Sequence, residues 1–198
     1  MPRLVLASKN KGKILELREL LAGLPLEIVS LADFPAVPEV IENGDTFAEN
    51  AVIKAKTIAE ATGELTLADD SGLEVDALNG EPGIYSARYG QPGWSDRERY
   101  RFLLEKLRGV PLEKRTARFR CAVALYNPDL NRVEQTDGTV EGLIIDQPRG
   151  NYGFGYDPVF LIPELGKTMA ELSPEEKNRF SHRSRAVEKM IPLLKRCL

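Results

Sequence analysis

The sequence predicts an α/β domain, and three features carry that reading. Short apolar runs alternate with stretches of helical periodicity in the order β-α-β-α-β up to Asp70, the pattern of a sheet flanked by helices. The helical stretches carry their own start and stop signals. Two long β candidates later in the chain, joined by Asn127-Pro128-Asp129, add antiparallel strands.

Arg3 to Ala7 is a short apolar strand candidate, and Ser8-Lys9-Asn10-Lys11-Gly12-Lys13 follows as a polar loop. Ile14, Leu17, Leu20 and Leu21 recur at helical spacing until Gly23 and Pro25 stop the helix. Leu26 to Ser30 reads as a second strand, and a loop rich in proline and acids runs through Pro35, Pro38 and Gly44. Thr46-Phe47-Ala48-Glu49 fits a capping box, in which the Thr and Glu side chains satisfy each other's backbone N–H groups. The helix it opens buries Phe47, Ala51, Ala55, Ile58 and Ala59 and ends at Gly63. Leu65 to Ala68 is a strand leading into Asp69-Asp70-Ser71-Gly72. Leu73 to Leu78 reads as a further strand and Asn79-Gly80 as a tight turn. Ser95 or Asp96 caps a helix reaching Leu107. Arg118 to Tyr126 and Arg132 to Glu141 are the two long β candidates, and Val159 to Ile162 is short and apolar. Ser173-Pro174-Glu175-Glu176 opens a short helix. The last helix, from His182 to Leu194, turns Ala186, Val187, Met190 and Leu194 inward. With no repeat, linker or low-complexity tract, residues 1–198 read as one domain.

The composition narrows the function. At 198 residues, 42% apolar and 29% charged, the chain can bury a core and is not compositionally disordered. Its formal net charge of −3 gives no attraction to nucleic acid polymers, so phosphate recognition has to come from local clusters of cations. Cys121 and Cys197 lack metal-ligand spacing, and Cys121 sits in an apolar run as a core residue. No apolar stretch approaches the roughly 20 residues that span a bilayer, and the Leu4-Val5-Leu6 run is too short for a secretory signal. A cytoplasmic setting with no membrane partner is expected.

Five segments could carry chemistry, and each also has a plain structural reading. Ser8 to Lys13 lies between a strand and a helix, where backbone N–H groups and the helix dipole favour an anion. Gly12 allows close approach, and Lys9, Lys11 and Lys13 supply charge; otherwise this is a solvated basic loop. Asp69 and Asp70 emerge at the end of an apolar strand, where ligands bind in α/β folds. Magnesium takes one or two carboxylates plus phosphate oxygens and water, which this segment can offer; otherwise it is a turn. Among the acids Glu39, Glu42, Asp45 and Glu49, the capping box accounts for Glu49, while Glu42 has no structural duty and is the better second metal ligand. Gly153-Phe154-Gly155-Tyr156-Asp157-Pro158 is a shaped loop in which Phe154 or Tyr156 either stacks on a nucleobase or fills the core. Lys177 to Arg183 is a second cationic cluster around His182, the single histidine, and reads equally as a basic helix cap. One histidine disfavours zinc, and the absence of G-x-S-x-G disfavours a serine hydrolase.

Taken in order, these segments resemble the inosine triphosphate pyrophosphatase family. Ser8 to Lys13 is similar to its [ST]-x-N-x-x-K opening. Gly44 to Ala51 with Lys54-Ala55, Ala68 to Leu73, Pro82 to Tyr89, Gly153 to Pro158 and Ser181-His182-Arg183 complete the resemblance over nearly the whole chain. It implies a long twisted mixed sheet flanked by helices, two lobes with the active cleft between them, and a homodimer. It further implies Mg²⁺ dependence, with Asp70 as catalytic base and the ion held by Asp70 and Glu42. Implied substrate contacts are Ser8, Lys9, Asn10, Lys11, Gly12, Lys13, Lys54, Ser71, Phe154, Gly155, Tyr156, Asp157, Lys177, His182 and Arg183. The substrate would be a purine nucleoside triphosphate (dITP, ITP or XTP), cut to monophosphate and pyrophosphate, which clears such nucleotides from the pool. In that scheme Lys13 and Lys54 offset phosphate charge, while His182 and Arg183 donate to the 6-keto oxygen of the base. The alternatives are a pyrophosphatase with another base preference and a non-catalytic nucleotide sensor; an acid paired with a metal-binding partner is of little use to the latter.

Overall fold

The computed structural model describes residues 1–34 and 36–198; Pro35, within the expected proline-rich loop, lies outside the described residues. In chain order the elements are β1 (Arg3–Leu6), α1 (Lys11–Leu20), β2 (Glu27–Ser30), α2 (Phe47–Thr62), β3 (Leu65–Val75) and α3 (Asp96–Lys106). There follow β4 (Thr116–Asn127), β5 (Arg132–Ile144), β6 (Phe160–Ile162), β7 (Lys167–Thr168), α4 (Pro174–Phe180) and α5 (His182–Lys195). The strands form one open sheet in the order β2-β1-β3-β4-β5-β6-β7. β1 pairs in parallel with β2 and β3, whereas β6 pairs antiparallel with β5 and β7, so the sheet is mixed as predicted.

The order β2-β1-β3 locates a binding site before any side chain is considered. Parallel neighbours need crossovers, supplied here by α1 and α2. The first crossover leads to one side of β1 and the second to the other. The chain therefore reverses direction across the sheet at the β1/β3 boundary, beyond whose carboxyl ends ligands bind in such folds. The Ser8 to Lys13 segment leaves β1 at that end. Asp69 and Asp70 follow the part of β3 that pairs with β1.

The chain divides into two compact units. The first comprises Met1–Asp70, Cys121–Gly138 and His182–Leu198. Its core joins Leu4, Leu6, Leu17, Leu21, Leu67, Cys121, Val123, Leu125, Val187 and Met190. α1 and α5 pack together over it. α2 buries Phe47, Asn50, Ala51, Ala55, Ile58 and Ala59. The second unit comprises Ser71–Arg120 and Thr139–Ser181. There Leu73, Val75, Leu103, Leu107, Phe119, Phe160 and Met169 form a separate core, with the Phe119 and Phe160 rings 4.5 Å apart. Among the described residues no helix is long and apolar enough to cross a membrane.

Several boundaries differ from the sequence reading. α1 begins at Lys11, with the Asn10 side chain accepting from the Lys13 amide, so half of the expected loop is the first helical turn. Thr46 caps α2 as expected, but Glu49 reaches back to the Asp45 amide (2.7 Å) rather than to that of Thr46. β3 runs unbroken through Asp69-Asp70-Ser71-Gly72, where turn-forming residues suggested a break. Tertiary surroundings override local propensity there, because buried cations compensate both acids. The run toward Leu78 instead closes in a short 3₁₀ turn, Asp76–Leu78, before Asn79 and Gly80, both at positive φ. The strand β7 has no counterpart in the sequence reading.

α5 is fastened to β5 by backbone proximity. Thr136 Oγ1 donates to the Ala186 carbonyl (2.8 Å), and a Cβ on Gly138 would lie on the His182 carbonyl oxygen and 2.7 Å from the Ala186 nitrogen. Backbone cannot yield as a flexible side chain can. Gly138→Ala is therefore expected to lower unfolding free energy by about 1–3 kcal/mol, read from urea denaturation with an unchanged m-value.

Candidate active site

In the first unit two ion clusters lie on either side of β3. Successive strand residues face opposite ways, which separates Asp69 from Asp70. Asp69 has a fully buried side chain, and its Oδ2 sits 3.0 Å from Lys13 Nζ and 3.1 Å from Arg183 Nη2. Arg183 Nε donates to the same oxygen at 3.3 Å, and Nη1 pairs with Glu16. Burial alone would push the Asp69 carboxyl up, but Lys13, Arg183 and Lys54 reverse this and hold it well below the usual carboxylate range. Cys121 Sγ lies 4.0 Å from Asp69 Oδ2, and burial together with that carboxylate pushes its thiol up to about 12, an inert state.

Asp70 is in a different position. Its Oδ1 is 3.0 Å from Lys54 Nζ, which also reaches Glu42 Oε2 at 3.3 Å. Its Oδ2 is buried with no hydrogen-bond partner among the described residues. Burial dominates here, with a contribution from Glu42, and raises the Asp70 pKa despite Lys54 and Lys13. Burial also opposes the charge on Lys54, yet Asp70, Asp69 and Glu42 outweigh it, so the ammonium is held more firmly than usual. The loop bearing Glu42 is tied to α2 by Asn50, whose Oδ1 accepts from the Gly44 amide at 2.8 Å. Asn50 and Lys54 share a helix face one turn apart.

These donors suit a hard divalent cation. Asp70 and Glu42 offer only oxygen, converge on one ammonium, and leave one buried carboxylate oxygen unsatisfied. Among the described residues no three His, Cys, Asp or Glu side chains gather into a metal cage. Magnesium needs none, since it completes its shell with water and phosphate.

In the second unit the Gly153 to Asp157 loop is built around an ion pair. Asp157 is buried; its Oδ2 accepts from Lys177 Nζ (2.7 Å) and from the Phe154 amide (3.0 Å). Gly153 has φ +75, and a Cβ there would run into Asp157 Oδ2. Lys177 Nζ stands 4.8 Å from the centre of the Phe154 ring, which is half-buried. Tyr156 takes the core-filling alternative: its ring is buried, its hydroxyl donates to the Ser86 carbonyl (2.7 Å), and burial pushes its pKa up. Ser71 continues β3 at the start of this unit.

Of the residues singled out in the first unit, Lys13, Lys54, Glu42, Asp70 and Arg183 join the ion clusters. Lys9, Asn10 and Lys11 are exposed, and Ser8 and Gly12 are half-buried at the start of α1. His182 is buried as the first residue of α5. Arg183, expected to donate to a base, is 1% exposed and its guanidinium contacts Asp69 and Glu16. Sequence reasoning missed Glu16. Its spacing of i+3 from Lys13 on α1 was the available signal, since that puts both on one face.

A sequence model of the Ham1 family matches residues 4–193 of this chain. A Geobacter sulfurreducens protein named dITP/XTP pyrophosphatase is 54% identical over 94% of this chain and 94% of its own length. A Desulforamulus reducens protein of the same name is 50% identical over 98% and 96%. Among solved structures, a HAM1 protein from Coxiella burnetii is similar with a TM-score of 0.90 and 43% identity, covering 99% of this chain and 100% of that one. These names agree with the resemblance read from the motifs.

Asp69→Asn removes the charge that Lys13 and Arg183 neutralise and leaves both cations partly uncompensated. A loss of about 3–5 kcal/mol at neutral pH is expected. Because the folded pKa is depressed, the native contribution is complete above the unfolded value and declines as pH falls below about 4. Denaturation of both proteins from pH 8 to pH 3 should show a gap that is constant down to about pH 4 and only begins to narrow at the acid end. A gap that widens on acidification would contradict the assignment.

Proposed function

This chain belongs to the Ham1 family, and on that premise we propose that it is a magnesium-dependent pyrophosphatase. Its substrates would be dITP, ITP and XTP, cleaved to the nucleoside monophosphate and pyrophosphate so that these purines do not accumulate in the nucleotide pool. The names of the relatives support the substrate class. The observation that carries the chemistry is the Asp70 carboxylate, buried, raised in pKa, anchored at Oδ1 by Lys54 and unsatisfied at Oδ2.

Asp70 takes the proton of the attacking water, a role its carboxylate can fill from within hydrogen-bond reach of that water. The water oxygen bonds to the α-phosphorus, the bond from that phosphorus to the bridging oxygen breaks, and pyrophosphate departs with the electron pair. Lys13 and Lys54 would offset charge on the phosphate oxygens, and the amides of the first turn of α1 would favour the same anion. Held by Asp70 and Glu42, Mg²⁺ would add two positive charges to a cluster whose Lys13, Lys54 and Arg183 are outnumbered by Asp69, Asp70, Glu42 and Glu16. Phe154 is the stacking surface for the base. His182 and Arg183 are the residues proposed to recognise a 6-keto oxygen, a contact that disfavours adenine. The family resemblance extends the proposal to a cytoplasmic homodimer.

Pyrophosphate release from dITP, ITP, XTP, GTP and ATP with Mg²⁺, repeated with EDTA, tests the proposal. Release should be fastest from the first three and abolished by chelation. Equal rates on ATP, or rates indifferent to EDTA, would sink it. Asp70→Asn should lower kcat by about 10²–10⁴-fold while nucleotide affinity stays within a few-fold of the parent.

A further inference from the structure

We propose that Asp96, on the first turn of α3, is a positioning residue for base recognition, holding the peptide plane that follows Phe154. The inference rests on the proposed role of Phe154 as the stacking surface. Within the second unit several contacts hold the loop, and Lys177, on Asp157 and beside the Phe154 ring, is one of them. Asp157 holds the Phe154 amide, and Tyr156 holds the Ser86 carbonyl. Between them, the Gly155 amide donates to Asp96 Oδ2 at 2.8 Å, from 59 residues away in sequence.

Asp96 has no other evident task. The cap of α3 is complete without it: Ser95 Oγ accepts from the Glu98 amide (3.3 Å) and Glu98 Oε2 from the Ser95 amide (2.7 Å). Its side chain is 53% exposed and outside the core. The helix dipole favours an acid at this position, but a dipole does not aim a carboxylate at one loop amide. Arg99, one turn on, places Nη1 3.5 Å from Asp96 Oδ1 and so steadies the carboxylate, while its own Nε is buried with no partner among the described residues.

The direction of the Phe154 ring depends on the backbone either side of it as well as on Lys177 beside its face. Asp157 fixes the peptide before it, and Asp96 the peptide after it. Releasing the second leaves the ring free to sample orientations that binding must then restrict, a cost charged to association. A base stacked equally in ground and transition states transmits that loss to KM and spares kcat.

The test measures pyrophosphate release from dITP by the native enzyme and by Asp96→Ala, Asp96→Asn, Phe154→Ala and the Asp96→Ala/Phe154→Ala pair. Both Asp96 variants retain the Ser95–Glu98 cap, so α3 still forms. Asp96→Ala should raise KM about three- to tenfold with kcat within about twofold of the parent. Asp96→Asn keeps an acceptor oxygen and should restore KM. The double variant should match Phe154→Ala alone, because the two residues act through one contact. An unchanged KM, an Asn variant as impaired as the Ala one, or additive losses would overturn the assignment. Absence of release by the native enzyme would instead overturn the functional reading together with it, and that appears before any variant is compared.

Discussion

The structure depends on neutralising Asp69 in the middle of β3. A carboxylate with no solvent access costs several kcal/mol unless cations reach it, and here they come from two helices. Lys13 reaches from the first turn of α1 and Arg183 from the first turn of α5. Both helices also share the core that Leu67 enters from the same face of β3. The ionic cluster and the apolar contacts thus specify one arrangement of α1, β3 and α5. Glu16 completes the cluster by taking the remaining arm of Arg183, so that the guanidinium is itself paired inside the protein.

Much of this was legible in the sequence, and the failures have physical causes. Helices α2 and α3 declared themselves because Thr46 and Ser95 carry cap chemistry local to a few residues. The alternating elements up to Asp70 announced an α/β fold, while the order β2-β1-β3 came only with the structure. What the sequence could not show was any partner distant in the chain. Asp69-Asp70-Ser71-Gly72 reads as a turn until Lys13, Lys54 and Arg183 are brought beside it, and then it can remain a strand. For the same reason the contacts of Arg183 were hidden, since nothing near it in sequence reveals Glu16 or Asp69. Site residues recognised by motif were gathered without their commitments to one another being visible.

The Gly153 to Asp157 loop shows the same logic in the second unit. Its glycines permit the backbone path, but the path is chosen by charged side chains outside the loop or at its end. Lys177 neutralises Asp157, which frees that carboxylate to accept from the Phe154 amide, and the same ammonium lies near the ring face. Tyr156 points inward and spends its hydroxyl on Ser86, whose own Oγ accepts from the Leu73 amide at 2.9 Å. One aromatic side chain is therefore core and the other is half-exposed, a division that the repeated glycine-aromatic pattern does not reveal.

Asp69 and Asp70 are identical neighbours whose environments drive them apart. The first is surrounded by cations and stays ionised well into acid, which suits a structural counter-charge and makes it a poor proton acceptor. The second loses solvent and faces Glu42, which together outweigh Lys54 and Lys13, so its proton affinity rises. Paired groups displaced in opposite directions mark an assignment of roles in acid–base sites generally. Here the alternation of a β-strand produces that displacement without loops or insertions. Any residue at position 69 must satisfy the buried cations of α1 and α5, whereas position 70 answers to α2 and the Glu42 loop. A one-residue slip of β3 that carried Asp69 beside Lys54 would leave Ala68 facing the cations of α1 and α5. The register that pairs Leu6 with Leu67 is therefore as much a requirement of the chemistry as either acid.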